Sequence, residues 1–217
     1  MKTDQMIEQL SSGLEPVRVL RSPALRALCW LALVGVMTVA LILGFAHSAA
    51  LQRLTAPRVA VECVATALTA VAAIVAAFEL SVPDGSLRWA WLPVPPLLVW
   101  LAASGLGCLR NGLSLAAGHG AMGNSPDCFM FICAASLPLA AGLFWMLRRA
   151  RPIAPMPVAI TGALGVAATA AFILEFFHPF DVTVIDLTLH LSAVGLVVVL
   201  VTSLRRPLLD DRALTRG

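Results

Sequence analysis

Charge is what this sequence has least of. Only 12% of its 217 residues are Asp, Glu, Lys or Arg, whereas an average soluble chain is about one quarter charged. Twelve acids and fifteen bases cannot cover the surface of a water-soluble domain of this length, so that class is excluded. Disorder is excluded by the same scarcity, because disordered chains are charged and poor in apolar residues. Five cysteines are too few for a disulfide-stapled scaffold. No Walker motif, zinc-protease pair, nucleophile elbow or C-x-x-C occurs, so no familiar catalytic constellation can be assembled. What the chain has instead is apolar mass: 59% of it is hydrophobic, and its mean hydropathy is +0.90. Together these predict a polytopic membrane protein.

A helix rising 1.5 Å per residue needs about 20 apolar residues to cross the hydrocarbon layer. Six runs qualify: Ala27 to Ala46, Val59 to Val82, Trp89 to Leu109, Cys128 to Leu147, Ile153 to Leu174 and Leu187 to Leu204. The alternating segments of about ten residues that a transmembrane barrel needs are absent. The fold expected is therefore all-α, a polytopic six-helix transmembrane bundle preceded by a short cytoplasmic amphipathic helix. Residues 1–24 form the N-terminal segment, 25–206 the membrane domain and 207–217 a cytoplasmic tail.

Orientation follows from the basic residues. With the N-terminus inside, Lys2, Arg18, Arg21, Arg26, Arg88, Arg148, Arg149, Arg151, Arg205, Arg206, Arg212 and Arg216 are cytoplasmic, and only Arg53, Arg58 and Arg110 fall outside. Both termini are then cytoplasmic. Ala46-His47-Ser48-Ala49 resembles a cleavage site, but the first run is longer than the apolar core of a leader and an acidic segment precedes it. It is read as a span.

Within the spans, Pro93, Pro95 and Pro96 remove three backbone donors near the cytoplasmic end of the third. They predict bending or unwinding there, read as a structural kink rather than a hinge. Ala65, Ala72 and Ala76 in the second span, with Gly162, Gly165 and Ala168 in the fifth, allow close backbone approach. Trp89, Trp91 and Trp145 stand where interfacial aromatics belong. Gly118-His119-Gly120-Ala121-Met122-Gly123 has the spacing of a dinucleotide-binding loop. It lies between two membrane helices rather than between a strand and a helix, and is read as a flexible link.

Folding up this topology gathers Glu62, Cys63, Cys108, Arg110, His119, Asp127, Cys128, Glu175, His178, Asp181, Asp186 and His190 at or near the outer face. Glu62 and Glu175, at the edges of apolar runs, either reach the headgroups or line a polar pocket with the histidines. Cys29 is expected as a reduced, packed thiol at the cytoplasmic end. Cys108 and Cys128 bracket one external loop and can approach each other. Cys133, five residues from Cys128 on one helix, is too far along the axis to pair with it. These positions admit inert packing or thiol sensing.

In the first 24 residues, Thr3 and Asp4 can cap a short helix on which Met6, Ile7, Leu10 and Leu14 recur at helical spacing. Such a helix lies on the inner leaflet or docks in a groove on a partner. Asp4, Glu8 and Glu15 disfavour anionic lipid and favour a protein partner.

The opening Met1-Lys2-Thr3-Asp4, Glu15-Pro16-Val17-Arg18 and Pro23-Ala24-Leu25-Arg26 resemble the NrsF family of bacterial anti-sigma factors. So do Leu80-Ser81-Val82-Pro83, Leu92-Pro93-Val94-Pro95-Pro96, Ser125-Pro126-Asp127-Cys128 and Phe177-His178-Pro179. The resemblance covers nearly the whole chain. It implies a six-span inner-membrane protein that restrains an extracytoplasmic-function (ECF) sigma factor through its cytoplasmic N-terminus, with Met6, Ile7, Leu10 and Leu14 as the contact. It further implies release on oxidative or heavy-metal stress, sensed outside the membrane by cysteine. Cys128 matches the sensory cysteine of the Ser-Pro-x-Cys motif. A second sensory cysteine is implied after the histidine, where this chain has Pro179, which leaves Cys108 as a redox partner or His178 as a co-ligand for a metal. No cofactor, no catalysis and no direct nucleic-acid contact are expected, the basic residues following membrane topology. The partners expected are the sigma factor, the lipid bilayer and a second copy of the chain. Two other classes compete. A membrane thiol oxidoreductase needs a close cysteine pair, which is missing. A small-molecule transporter would be supported by internal repeats, and none is evident.

Overall fold

A computed structural model describes residues 3–12, 20–45, 51–52, 54–110, 125–177 and 184–209. In chain order the principal elements are α1 (Thr3–Ser11), α2 (Pro23–Phe45), α3 (Pro57–Leu80), a 3-10 turn (Leu87–Trp91), α4 (Val94–Arg110), α5 (Ser125–Arg148), α6 (Pro155–Leu174), α7 (Val184–Ser203) and α8 (Arg205–Leu209). Among the described residues there is no strand.

Among the described residues, five stretches are long and apolar enough to cross a membrane: Pro23–Phe45, Pro57–Leu80, Leu87–Leu106, Cys128–Arg148 and Pro155–Leu174. The sixth expected run falls in α7 (Val184–Ser203), with Leu187–Ser203 as its described apolar part. Proline sets several of the starts. Pro23, Pro57 and Pro155 each open a helix, where a missing N–H costs nothing because the first turn has no intrahelical acceptor. The third span shows the same logic twice. Pro93 closes off the 3-10 turn, and Pro95 and Pro96 fall in the first turn of α4. The expected unwinding therefore takes the form of a 3-10 turn followed by a fresh α-helical start. Pro138 lies inside α5 rather than at its start.

Three threonines inside the bundle satisfy their hydroxyls locally. The hydroxyls of Thr66, Thr69 and Thr169 donate to the carbonyls of Glu62, Ala65 and Gly165 at 2.7–2.8 Å, one turn back. This is how a hydroxyl is tolerated where no water is available.

The centre of the molecule is α6, whose span is 78% buried, against 17% for that of α2. Small side chains explain the difference. Gly162, Ala163, Gly165, Ala167 and Ala168 are all buried, and they let α3 pack against α6 along its length. At Gly165 a Cβ would stand 2.7 Å from Ile74 Cδ1 and 3.1 Å from Ile74 N. Because lipid is as apolar as leucine, close packing rather than hydrophobic transfer holds such helices together.

Two apolar clusters result. One contains Ala27, Trp30, Phe78, Leu147 and Val158, and joins the start of α2 to the ends of α3 and α5. The other contains Cys128, Ile132, Ala170, Ala171, Leu174 and Ala193, at the opposite end of the bundle. Between α5 and α6 the chain reverses tightly. Ala150 and Arg151 donate to the carbonyls of Leu147 and Arg148, and Arg151 has φ 48, the left-handed residue that closes a helix end.

Candidate functional site

Polar and thiol side chains gather in two regions, one at each end of the bundle. At the end where α3 and α5 begin and α6 finishes, acidic and thiol groups collect. Glu62 is 1% exposed, and its Oε1 lies 3.8 Å from Arg58 Nη1, one turn earlier on α3. This decides between the two readings of Glu62. It is turned into the bundle rather than out to the headgroup layer. Cys63 follows it, half-buried, and Glu175 at the end of α6 is close enough to act on the Cys63 thiol electrostatically. The close packing of α3 on α6 is what brings these two groups together from positions more than a hundred residues apart.

Cys128 lies in the first turns of α5 and is 4% exposed, enclosed by Ile132, Ala170, Ala171, Leu174 and Ala193. Cys133 is half-buried on the same helix. Cys29 differs from expectation. It is exposed on α2 rather than packed, because α2 sits at the margin of the bundle and turns Leu28, Leu33, Val36 and Met37 outward as well. Cys108 belongs to the last turn of α4. His119, His178 and Pro179 lie outside the described residues, as does the Gly118–Gly123 link. One ring contact lies at the edge of the described residues. The ring of Phe177, the immediate neighbour of His178, stands 6.2 Å from that of Phe131, which is one turn along α5 from Cys128. Among the described residues no group of three or more His, Cys, Asp or Glu is arranged to hold a metal ion.

The N-terminal helix α1 spans Thr3–Ser11. Met6 and Ile7 are 46% and 59% exposed, so this helix presents apolar side chains that its own fold does not cover. Leu10 closes the same helix, and Leu14 lies outside the described residues. Where α2 begins, Arg26 is 7% exposed. Its Nη2 donates to the Met146 carbonyl of α5, and its guanidinium stands 5.0 Å from the ring centre of Phe78 on α3. Nearby, Arg149 stacks at 3.9 Å over the exposed Trp145. Arg205, at the end of α7, donates to the Thr202 carbonyl at 2.7 Å. Cations near helix C-termini oppose the negative end of the macrodipole. No local signal in the sequence marks Arg26 as buried.

A family model described as "Negative regulator of sigma F" matches residues 10–210. Neither the curated proteins nor the solved structures show a match.

Proposed function

The chain belongs to the NrsF family, negative regulators of sigma F, and from that premise we propose that it is an inner-membrane anti-sigma factor. In this reading both termini are cytoplasmic, and the N-terminal segment binds an ECF sigma factor and denies it to polymerase. The partner of a negative regulator of a sigma factor is the sigma factor itself. The ECF type is the finer assignment proposed here.

The observation that carries the binding site is the exposed apolar pair Met6 and Ile7 on α1. An amphipathic helix with uncovered apolar anchors is the form in which a short segment enters a partner's groove. Five apolar helices of spanning length support the membrane location. The arginines at the inner ends support the orientation.

For the signal we propose that Cys128 is the external sensor, with Cys108 or His178 as its partner. Two features support this reading. Cys128 lies at the same end of the bundle as Glu62, Cys63 and Glu175, and the Phe131–Phe177 contact holds the residue before His178 against the helix that carries it. Burial of Cys128 at rest makes the thiol quiet until α5 shifts. A disulfide would remove two electrons and two protons from the thiols to an external oxidant. A metal would displace the thiol proton. Either product favours a different helix arrangement, and tenfold release of the sigma factor needs about 1.4 kcal/mol of differential binding.

Co-purification from membranes tests the reading directly. Intact protein should retain a sigma factor identifiable by mass spectrometry, and loss of residues 1–24 should abolish retention. Membranes from which no sigma factor co-purifies would overturn it.

A further inference from the structure

Arg26 has no role in the reading above, yet its placement is the least expected in the molecule. It lies one helical turn inside α2, directly after the segment proposed to bind the sigma factor. An arginine at such a position ordinarily snorkels to the lipid headgroups. This one is 7% exposed. Its contacts join three helices. The backbone belongs to the start of α2, the guanidinium faces the Phe78 ring near the end of α3, and Nη2 donates to Met146 in the last turn of α5. Met146 is among the last four carbonyls of α5, which have no intrahelical donor. Arg26 therefore caps a neighbouring helix from its own.

The rest of α2 is loosely held. Beyond Ala27, Trp30, Val34 and Thr38 its residues are largely outward-facing, so the inner end is where this helix is tied down. The tie involves neutral groups. Among the described residues Arg26 makes no ion pair, its Nη1 has no hydrogen-bond partner, and the charged neighbour acting on it is another cation, Arg149. A buried guanidinium held by one carbonyl and one ring depends on geometry. Hydrogen bonds weaken steeply beyond normal distance and angle, so a small axial or lateral shift of α5 breaks the cap. α5 is also the helix that carries Cys128, about 27 Å away at 1.5 Å per residue.

We propose that Arg26 is the positioning residue through which the bundle holds the N-terminal segment in its sigma-factor-binding arrangement. The inference rests on the anti-sigma reading. α3 and α5 hold Arg26, Arg26 fixes the angle and depth at which α2 enters the membrane, and that fixes the direction in which the chain leaves α2 towards its N-terminus. Movement of α5 relative to α3 releases the staple and lets the segment reorient.

The test uses the full chain in its native membranes, comparing wild type with Arg26→Gln, Arg26→Lys and Phe78→Leu, and reading the sigma factor retained per molecule. Arg26→Gln should lose at least fivefold. Arg26→Lys, which keeps a cation able to reach both carbonyl and ring, should recover to within about twofold of wild type. Phe78→Leu, which keeps apolar bulk but removes the ring face, should fall between them. Maleimide labelling of Cys133 should proceed at the wild-type rate in all three, marking an intact bundle, which a merely structural role for Arg26 would not allow. If Arg26→Gln does not accumulate, Phe78→Leu decides. Wild-type retention in both Arg26→Gln and Phe78→Leu overturns the proposal, as does a loss that Lys fails to repair. A wild-type protein that retains no sigma factor overturns the anti-sigma reading itself and the inference with it.

Discussion

Cys128 is the residue on which the proposed signal rests, and Gly165 the one whose missing Cβ lets α3 meet α6. In the proposed mechanism Cys128→Ser blunts induction by oxidant or soft metal at least severalfold, while Cys133→Ser and Cys29→Ser leave it nearly intact. A reporter of the sigma factor's own promoter measures this. Full induction in Cys128→Ser removes cysteine sensing at that position and leaves family membership untouched. Mass spectrometry after oxidant separates the two candidate partners, because a Cys108–Cys128 disulfide and a metal site differ in mass. The Gly165 prediction concerns stability alone. An added Cβ would lie 2.7 and 2.9 Å from Ile74 side-chain atoms and 3.1 Å from its backbone nitrogen. The side-chain end can yield and the backbone cannot without parting α3 from α6. Gly165→Ala should therefore destabilise by about 1–3 kcal/mol, as overpacking does. Thermal unfolding in detergent checks this, and Ile74→Ala in the same chain should return part of the loss. An unchanged transition would mean that the seam is looser than the structure shows.

At the scale of elements, α1 and the third span were the most legible in different ways. The spacing of Met6, Ile7, Leu10 and Leu14 predicted a short amphipathic helix, and Thr3–Ser11 is a short helix with Met6 and Ile7 exposed, Leu14 lying outside the described residues. Burying a leucine-sized side chain in a partner is worth about 1.5–3 kcal/mol. Ile7→Asp with Leu10→Asp should thus release the sigma factor by well over tenfold without altering membrane insertion. Immunoblotting of membranes beside a promoter reporter checks both halves, and unchanged repression would return α1 to the lipid surface. For the third span, the prolines marked a disturbance correctly but not its form. Proline is as comfortable at the first turn of a helix as it is damaging in the middle, and only the start at Val94 shows which case applies. Pro138 is the converse, a proline that does lie inside a helix.

For the molecule as a whole, topology carries the most weight. Reporter fusions at Gly118 and Arg212 should read as external and cytoplasmic respectively, and the same side for both would overturn the orientation and the external position of Cys128 with it. Hydropathy along the chain was enough to determine an all-helical protein and the position of its apolar helices, because transfer from water to hydrocarbon is a property of each segment by itself. The small residues of the fifth span likewise announced close packing. What sequence could not determine was rank within the bundle. α2 is among the most apolar helices and lies at the margin, while α6 is equally apolar and lies at the centre. Lipid and protein interiors are alike in polarity, so hydropathy cannot distinguish a side chain facing one from a side chain facing the other. The same blindness hid Glu62, Cys128 and Arg26. Each sits at the edge of an apolar run, where the sequence reads equally well as a group reaching the headgroups or one turned inward. Only the packing of α3 against α6, of α5 against α6 and α7, and of α2 and α5 around Phe78 decided that all three are enclosed, because burial belongs to the surfaces that meet and not to the segment that carries the residue.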